Sequence, residues 1–420
     1  MKQVETATGR EMAQSRHWDV EMSRGLAPQP PIEEQGARID RVRRILEARG
    51  LDCLLVFGSA GWIPEPVRYL AGYVHVFPTA SSFLVIPVEN DPILLLDQGW
   101  HLEEAKRMSW IRDIRTFPNG SRRWLYEQMK QALAGALRDA KVERGRVGIF
   151  EVELPVVYWR ALIEGLPDAR FEDGKSVWDE IVATPREYDV QMMRETVRIA
   201  DAGHASAVEA SHAGTPEHEV CFASYGTMTS MGAEFLHGSG LSTHVNIGSY
   251  SEAISNVRPF LFTTRKLERG EMFWYDLSCS YSSYYNDCCR TISIGKPTPK
   301  QQEIYMVCAD MYHAMLESVK PGVRGKDVWN AGIRVAEQAG YRDDVNHVYF
   351  GHTTGIATSV RPVVAEGETK EISPNSFLNI EPGIFVPGVG SASIENALWV
   401  TEDGAESVNR FSIDLHVKDE

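Results

Sequence analysis

Met272-Phe273-Trp274-Tyr275-Asp276 and, after a short gap, Asn286-Asp287-Cys288-Cys289-Arg290-Thr291 form the stretch whose reading decides the fold of the C-terminal half. The first piece is an apolar, aromatic run that reads as a strand and ends in an acid, a residue rarely buried without compensation. Eleven residues separate Asp276 from Asp287, enough for the end of one strand, a tight Ser280–Ser283 turn and a return strand. The expected hairpin brings both carboxylates to one place. Like charges so close repel strongly unless a proton or a cation lies between them, and a metal ion is a good resolution.

Working outward, three further residues share this character. His352 lies in Gly351-His352-Thr353-Thr354-Gly355, where glycines let the backbone approach a ligand. Glu381 follows an apolar strand and precedes a Pro-Gly turn in Asn379-Ile380-Glu381-Pro382-Gly383. Glu395 is expected mid-strand in Ser393-Ile394-Glu395-Asn396-Ala397. Four carboxylates with one imidazole form a hard, oxygen-rich set suited to Mn, Co, Fe or Zn. Bridging carboxylates would hold two such divalent ions roughly 3.5–4 Å apart and supply a nucleophilic water at neutral pH. Alone, any one of these acids reads as an ordinary surface residue; the ordered set of five carries the reading.

Around this set the chain divides. Residues 1–35 are polar, end in Ala27-Pro28-Gln29-Pro30-Pro31 and read as an N-terminal extension. From Ile39, Val42 and Leu46 a helix is expected, followed by buried strands at Leu54–Phe57, Phe83–Ile86 and Ile93–Leu96. Helices near 123–138 and 154–164 flank a strand at Val147–Phe150, which makes residues 36–182 an α/β domain. Thr184-Pro185-Arg186-Glu187 marks a linker and a helix start. In residues 183–420, Val190, Met193, Val197 and Ala200 recur at helical spacing, as do Ile304, Val307, Met311 and Met315, and Val328, Ala331, Val335 and Ala339. Strands are expected at 272–277, 291–294, 376–380 and 397–400, giving an α+β domain.

Composition excludes several classes. With 420 residues, 43% of them hydrophobic and 24% charged, the chain is globular and long enough for two cores. Lys+Arg 43 against Asp+Glu 58 leaves −15, the wrong sign for a nucleic-acid partner. Six cysteines without a C-x-x-C pair argue against both a disulfide framework and a thiolate zinc site, and point to reduced thiols in a cytosol. Neither a signal peptide nor an apolar run of ~20 residues is present, so a cytoplasmic protein with no membrane segment is expected. Cys288-Cys289 reads as strand packing, and Gly238-Ser239-Gly240 as a loop.

The five residues in this order, with Arg290-Thr291 after the second Asp, Glu381-Pro382-Gly383, and Thr401-Glu402-Asp403-Gly404 after the last Glu, resemble the creatinase, prolidase and methionine-aminopeptidase superfamily, the pita-bread fold. The likeness covers about nine-tenths of the chain, with a creatinase-like N-terminal domain ahead of the catalytic one. It implies two divalent metal ions bridged by Asp287 and Glu395, with Asp276 on one ion and His352 and Glu381 on the other. It also implies a proton shuttle at Glu381, a small-molecule or short-peptide substrate and a homodimer. The leading expectation is a metal-dependent hydrolase of a C–N bond, Xaa-Pro peptidase-like. A metal-dependent lyase of a small carboxylated substrate, as in the superfamily's DMSP lyases, is the runner-up, and a non-catalytic binding scaffold comes third.

The likeness departs at two substrate histidines. Their expected positions hold Arg258 and Ser359. Arg258 and Arg361 become candidates to clamp a substrate carboxylate bidentately. A salt bridge to a nearby acid explains either arginine as well. His244 and His237 are candidates for substrate contact, His244 as a replacement general acid, although most such loop histidines are structural.

Overall fold

The computed structural model describes residues 29–59, 66–75, 80–118, 125–150, 154–234, 244–249, 265–345, 349–356 and 361–419. Its first half is a mixed sheet covered on both faces. Helix α1 (Ile32–Arg49) precedes strand β1 (Cys53–Ser59), α2 (Pro66–Ala71), β2 (Ser81–Pro87), β3 (Ile93–Leu96), α3 (Leu102–Met108) and β4 (Asp113–Thr116). Helix α4 (Tyr126–Asp139), β5 (Arg146–Phe150), α5 (Val156–Gly165), β6 (Arg170–Asp173) and α6 (Lys175–Ala183) complete it. The strand order is β4-β3-β2-β1-β5-β6. β1 shows why its sequence is apolar throughout. Leu54 and Val56 pack with α1 and α6 on one face, while Cys53, Leu55 and Phe57 pack with α4 and α5 on the other. Helix α1 begins at Ile32, ahead of the start expected near Ile39, because Pro31 and the first-turn acids Glu33 and Glu34 suit a helix N-terminus.

The second half is α+β. Helices α7 (Glu187–Ala210) and α8 (Glu217–Ser230) precede strands β7 (His244–Ser249), β8 (Met272–Tyr281) and β9 (Tyr284–Ile294). Helices α9 (Pro299–Ser318) and α10 (Gly325–Gln338) follow, then β10 (Phe377–Ile380), β11 (Gly383–Val386), β12 (Gly390–Ser393), β13 (Asn396–Val400), β14 (Ala405–Ser407) and β15 (His416–Lys418). One sheet runs β15-β9-β8-β7, a second β10-β13-β14, and β11 pairs with β12. Helices α7 and α8 bury β8 and β9, while α9 and α10 bury β10 through β13. The β8–β9 turn places Ser282 at φ 50° and Ser283 at φ 73°, the pair of positive values that a two-residue hairpin requires.

A buried polar knot joins the halves. Arg38 of α1 lies over the Tyr69 ring at 4.0 Å and donates to the Tyr69 carbonyl (2.8 Å) and to the Tyr284 hydroxyl (2.8 Å) at the tip of the β8–β9 hairpin. Asp189 of α7, fully buried, accepts from Tyr284 (2.5 Å), from Tyr69 (3.1 Å) and from the Arg186 backbone N–H (2.7 Å). Glu34 pairs with both Arg38 and Arg186. A second tie, Arg68 to Glu234, runs from α2 to the end of the α8 segment.

Candidate metal centre

The hairpin register does what the spacing requires. Asp276 pairs with Cys289 and Asp287 with Ser278, so the two acids sit diagonally on one face of β8–β9. Cys289 also exchanges backbone hydrogen bonds with Glu395 (3.3 and 3.1 Å), which brings a third carboxylate alongside. Glu395 is not mid-strand as the sequence suggests; it lies between β12 and β13, and this bridge holds it. The segment at 350–355 fits between β9 and β10: Tyr285 N–H donates to Gly355 O (2.8 Å) and Asn379 N–H to His352 O (2.7 Å). Gly351 permits that approach, because a Cβ there would overlap the Asn379 carbonyl oxygen. Glu381, one residue past β10, donates its N–H to Phe350 O (2.9 Å), which sets it beside His352.

Three acids and the imidazole therefore converge. His352 Nε2 lies 3.9 Å from Asp287 Oδ2, 3.7 Å from Glu381 Oε1 and 3.9 Å from Glu395 Oε1. Asp276 joins through its register position, and its charge raises the carboxyls of Asp287, Glu381 and Glu395. The His352 and Glu395 side chains are 5% and 3% exposed, Asp287 and Glu381 14% each. Burial foremost, then mutual repulsion, pushes the carboxyls of Asp287, Glu381 and Glu395 well above the usual range. Burial lowers the basicity of His352, whose Nδ1 lies 2.9 Å from the Thr353 carbonyl. A carbonyl can only accept, so Nδ1–H donates to it and Nε2 is the ring nitrogen that faces the carboxyls.

An imidazole nitrogen aimed at three crowded carboxyls is a poor contact within a protein and a good ligand set. Glu381 Oε1 is buried and accepts no hydrogen bond among the described residues. Asp287, His352 and Glu395 each offer one ligand atom, and these atoms lie within 4.8 Å of one another. The residues thus fit a divalent cation on donor chemistry, burial and spacing.

Neighbours missed in the sequence hold the ligands in place. Asn379 Nδ2 donates to Glu395 Oε1 (2.8 Å) and to Asp287 O (3.0 Å), and the Tyr285 hydroxyl donates to Asp287 Oδ2 (3.1 Å). Both stand two residues from a ligand on the same strand face, a signal that the period of two could have given. Arg290, fully buried, donates to the carbonyls of Cys289, Glu395, Phe411 and Ser412 and to Asn396 Oδ1, all at 2.8–2.9 Å. It clamps β9 to the Glu395 turn.

Of the remaining candidates, Arg361 and His244 lie among the described residues. Arg361 is paired with Glu368 (2.9 Å from Nε to Oε2), and Asp179 of α6 also acts on it. His244 sits on β7 opposite Ser278, two positions from the partner of Asp276. Arg258, His237 and Ser359 lie outside the described residues.

Fold and site together define a two-domain metalloenzyme of the pita-bread type. Residues 191–402 match the model of metallopeptidase family M24, and residues 38–181 that of the creatinase/prolidase N-terminal domain. The chain belongs to metallopeptidase family M24 and is a metal-dependent hydrolase. It is similar to the Xaa-Pro dipeptidase of Pyrococcus furiosus, 28% identical over 382 residues that cover 90% of this chain and 99% of that one. The Xaa-Pro dipeptidase of Pyrococcus horikoshii is 27% identical, covering 90% and 98%. In structure, the P. horikoshii prolidase superimposes with TM-score 0.73 at 23% identity (90% and 99% covered). The X-Pro aminopeptidase of Thermotoga maritima superimposes with TM-score 0.77 at 19% identity (90% and 99% covered). These two likenesses speak to the fold. No helix among the described residues is long and apolar enough to cross a membrane.

Proposed function

We propose that the protein is a dimetal peptidase of short substrates, Xaa-Pro dipeptides foremost, with Asp276, Asp287, His352, Glu381 and Glu395 as its ligands. The observation that carries this reading is His352 Nε2 facing three crowded carboxyls at 3.7–3.9 Å. Bound there, two divalent ions would supply Lewis-acid polarisation of a carbonyl and an activated water. Asp287 and Glu395, joined through β9 and the Cys289 bridge, would be the ligands shared between the ions, and Asp276, His352 and Glu381 the others, as the resemblance implies.

Glu381 Oε1, buried and without a hydrogen bond among the described residues, is the group to take a proton from the attacking water and deliver it to the departing amine. Among residues for the substrate, Arg258 and His237 have only sequence in their favour. His244 adds a register position on the strand beside Asp276. Arg361 would have to release Glu368 to bind a carboxylate. The relatives named above favour hydrolysis over the lyase and scaffold readings. We further propose a cytosolic homodimer; the six cysteines, all unpaired and buried, support the reducing compartment.

The test is hydrolysis of an Xaa-Pro dipeptide panel in ¹⁸O-water after loading with Mn, Co, Fe or Zn. The expected result is metal-dependent release of proline with label in the new carboxylate of the Xaa product. Turnover without label incorporation, or no dependence on metal, contradicts the reading.

A further inference from the structure

Tyr349 is three residues before His352 and belongs to none of the roles given so far. Its backbone placement follows from its neighbour. Phe350 is fully buried in the apolar core with Trp329, and its N–H and C=O are bonded to Val364 O (2.6 Å) and Glu381 N (2.9 Å). Phe350 is thus held in the core, and Tyr349 precedes it, one residue from the backbone contact that positions Glu381. Its ring meets the His352 imidazole edge-to-face, with centroids 6.3 Å apart and planes at 66°. The residue is 43% exposed, whereas the side chains of His352, Asp287, Glu381 and Glu395 are at most 14% exposed. Among the charges that act on its hydroxyl, Glu381 comes first, ahead of Glu395, Asp287 and Asp276. A partly exposed phenol whose ring meets His352 is placed to meet whatever lies on that ligand set.

We propose that Tyr349 donates a hydrogen bond to the scissile carbonyl oxygen of the substrate, holding it as it becomes a tetrahedral oxyanion. The inference rests on the peptidase reading above and names a residue for a contact that the sequence leaves open, since Arg258 and Ser359 stand where the superfamily's substrate histidines are expected. When water oxygen bonds to the carbonyl carbon, the π pair moves onto the carbonyl oxygen. When the C–N bond then breaks, that pair returns and the amine nitrogen takes a proton. Tyr349 keeps its own proton throughout; its contribution is a donor aimed where negative charge develops. An ordinary phenol, with a pKa near ~10, is protonated at neutral pH and able to donate.

Tyr349→Phe keeps the ring on His352 and removes only the donor. The expected result is a fall in kcat of about 100-fold or more, with KM changed less than about threefold. A dipeptide phosphinate, which carries a tetrahedral oxyanion in place of the amide, should bind more weakly by a similar factor. Metal content and melting temperature should match the wild type, and Tyr349→His, which retains a donor, should recover part of the loss. Wild-type-like kcat and phosphinate affinity in Tyr349→Phe would overturn this proposal alone. Wild-type protein that hydrolyses no dipeptide would overturn the peptidase reading and this proposal with it.

Discussion

Asp189 and Glu381 are both acids inside the protein, and their surroundings differ in what they provide. Asp189, at the junction of the two halves, is met by two tyrosine hydroxyls and a backbone N–H, with Arg38 close behind. Glu381, less than 20 residues in sequence from Glu395, is met by the His352 imidazole and other carboxyls. One burial is compensated by the chain itself. The other is left for a cation, and that contrast separates a structural acid from a ligand more sharply than burial or sequence context does.

Exchanging the residues on either side of this comparison should give effects of different kinds. The largest is expected at the ligands: His352→Ala or Glu395→Gln should lower activity well beyond the ~10–100-fold that loss of an outer partner costs. Metal content, measured by atomic emission, should fall in parallel, while Asp189→Asn should leave metal bound. Next comes the compensated acid. Asp189→Ala leaves Arg38, Tyr69 and Tyr284 around a buried gap and should destabilise the fold by about 3–5 kcal/mol in urea titration.

A smaller effect concerns pH. Burial and mutual repulsion hold the carboxyls of Asp287, Glu381 and Glu395 above their ordinary range, so the metal-free fold keeps protons that the unfolded chain releases near pH ~4. Native protein binding more protons than unfolded protein means that stability falls as pH rises from there. Chelated protein should therefore melt at lower temperature at pH 8 than at pH 5, and Glu381→Gln should flatten that slope. Saturation with metal at a hundred times its dissociation constant should restore about 3 kcal/mol. A chelated protein whose stability rises with pH over this range contradicts the electrostatics described here.

The smallest effect is expected at Arg361. Its hydrogen bonds to Glu368 hold that carboxyl down to about 2, so the pair's contribution is complete above the unfolded value near pH ~4.5 and is lost as pH falls toward ~2. With the Arg361 side chain 58% exposed, Arg361→Ala should cost about 1 kcal/mol or less. Its KM should move less than about threefold; a larger rise would restore Arg361 as a substrate contact.

What the sequence made legible follows the same division. Asp276, Asp287 and Glu381 stood out because acids adjoin apolar, strand-forming runs, and a period of two places Asp276 and Asp287 on one face. The compensated knot left no such trace. Arg38 and Tyr284 are 246 residues apart, and their pairing depends on how α1 docks on the β8–β9 hairpin. Strands β4 and β6 were also missed: they are the sheet's edges, and Asp113-Ile114-Arg115-Thr116 and Arg170-Phe171-Glu172-Asp173 carry the charged residues that edge strands tolerate. Helix α1 started earlier than its apolar spacing indicated, since its first turn is polar and gives no periodic signal. Tyr349 was hidden for another reason. The role proposed for it rests on the ring it meets, not on any local pattern.

The most direct test is anomalous diffraction from crystals of the manganese-loaded protein. Two scattering peaks are expected between β9 and β10, with Asp287 and Glu395 touching both, Asp276 one, and His352 and Glu381 the other. Manganese bound elsewhere, or these five side chains with no ion among them at saturating metal, would contradict the account.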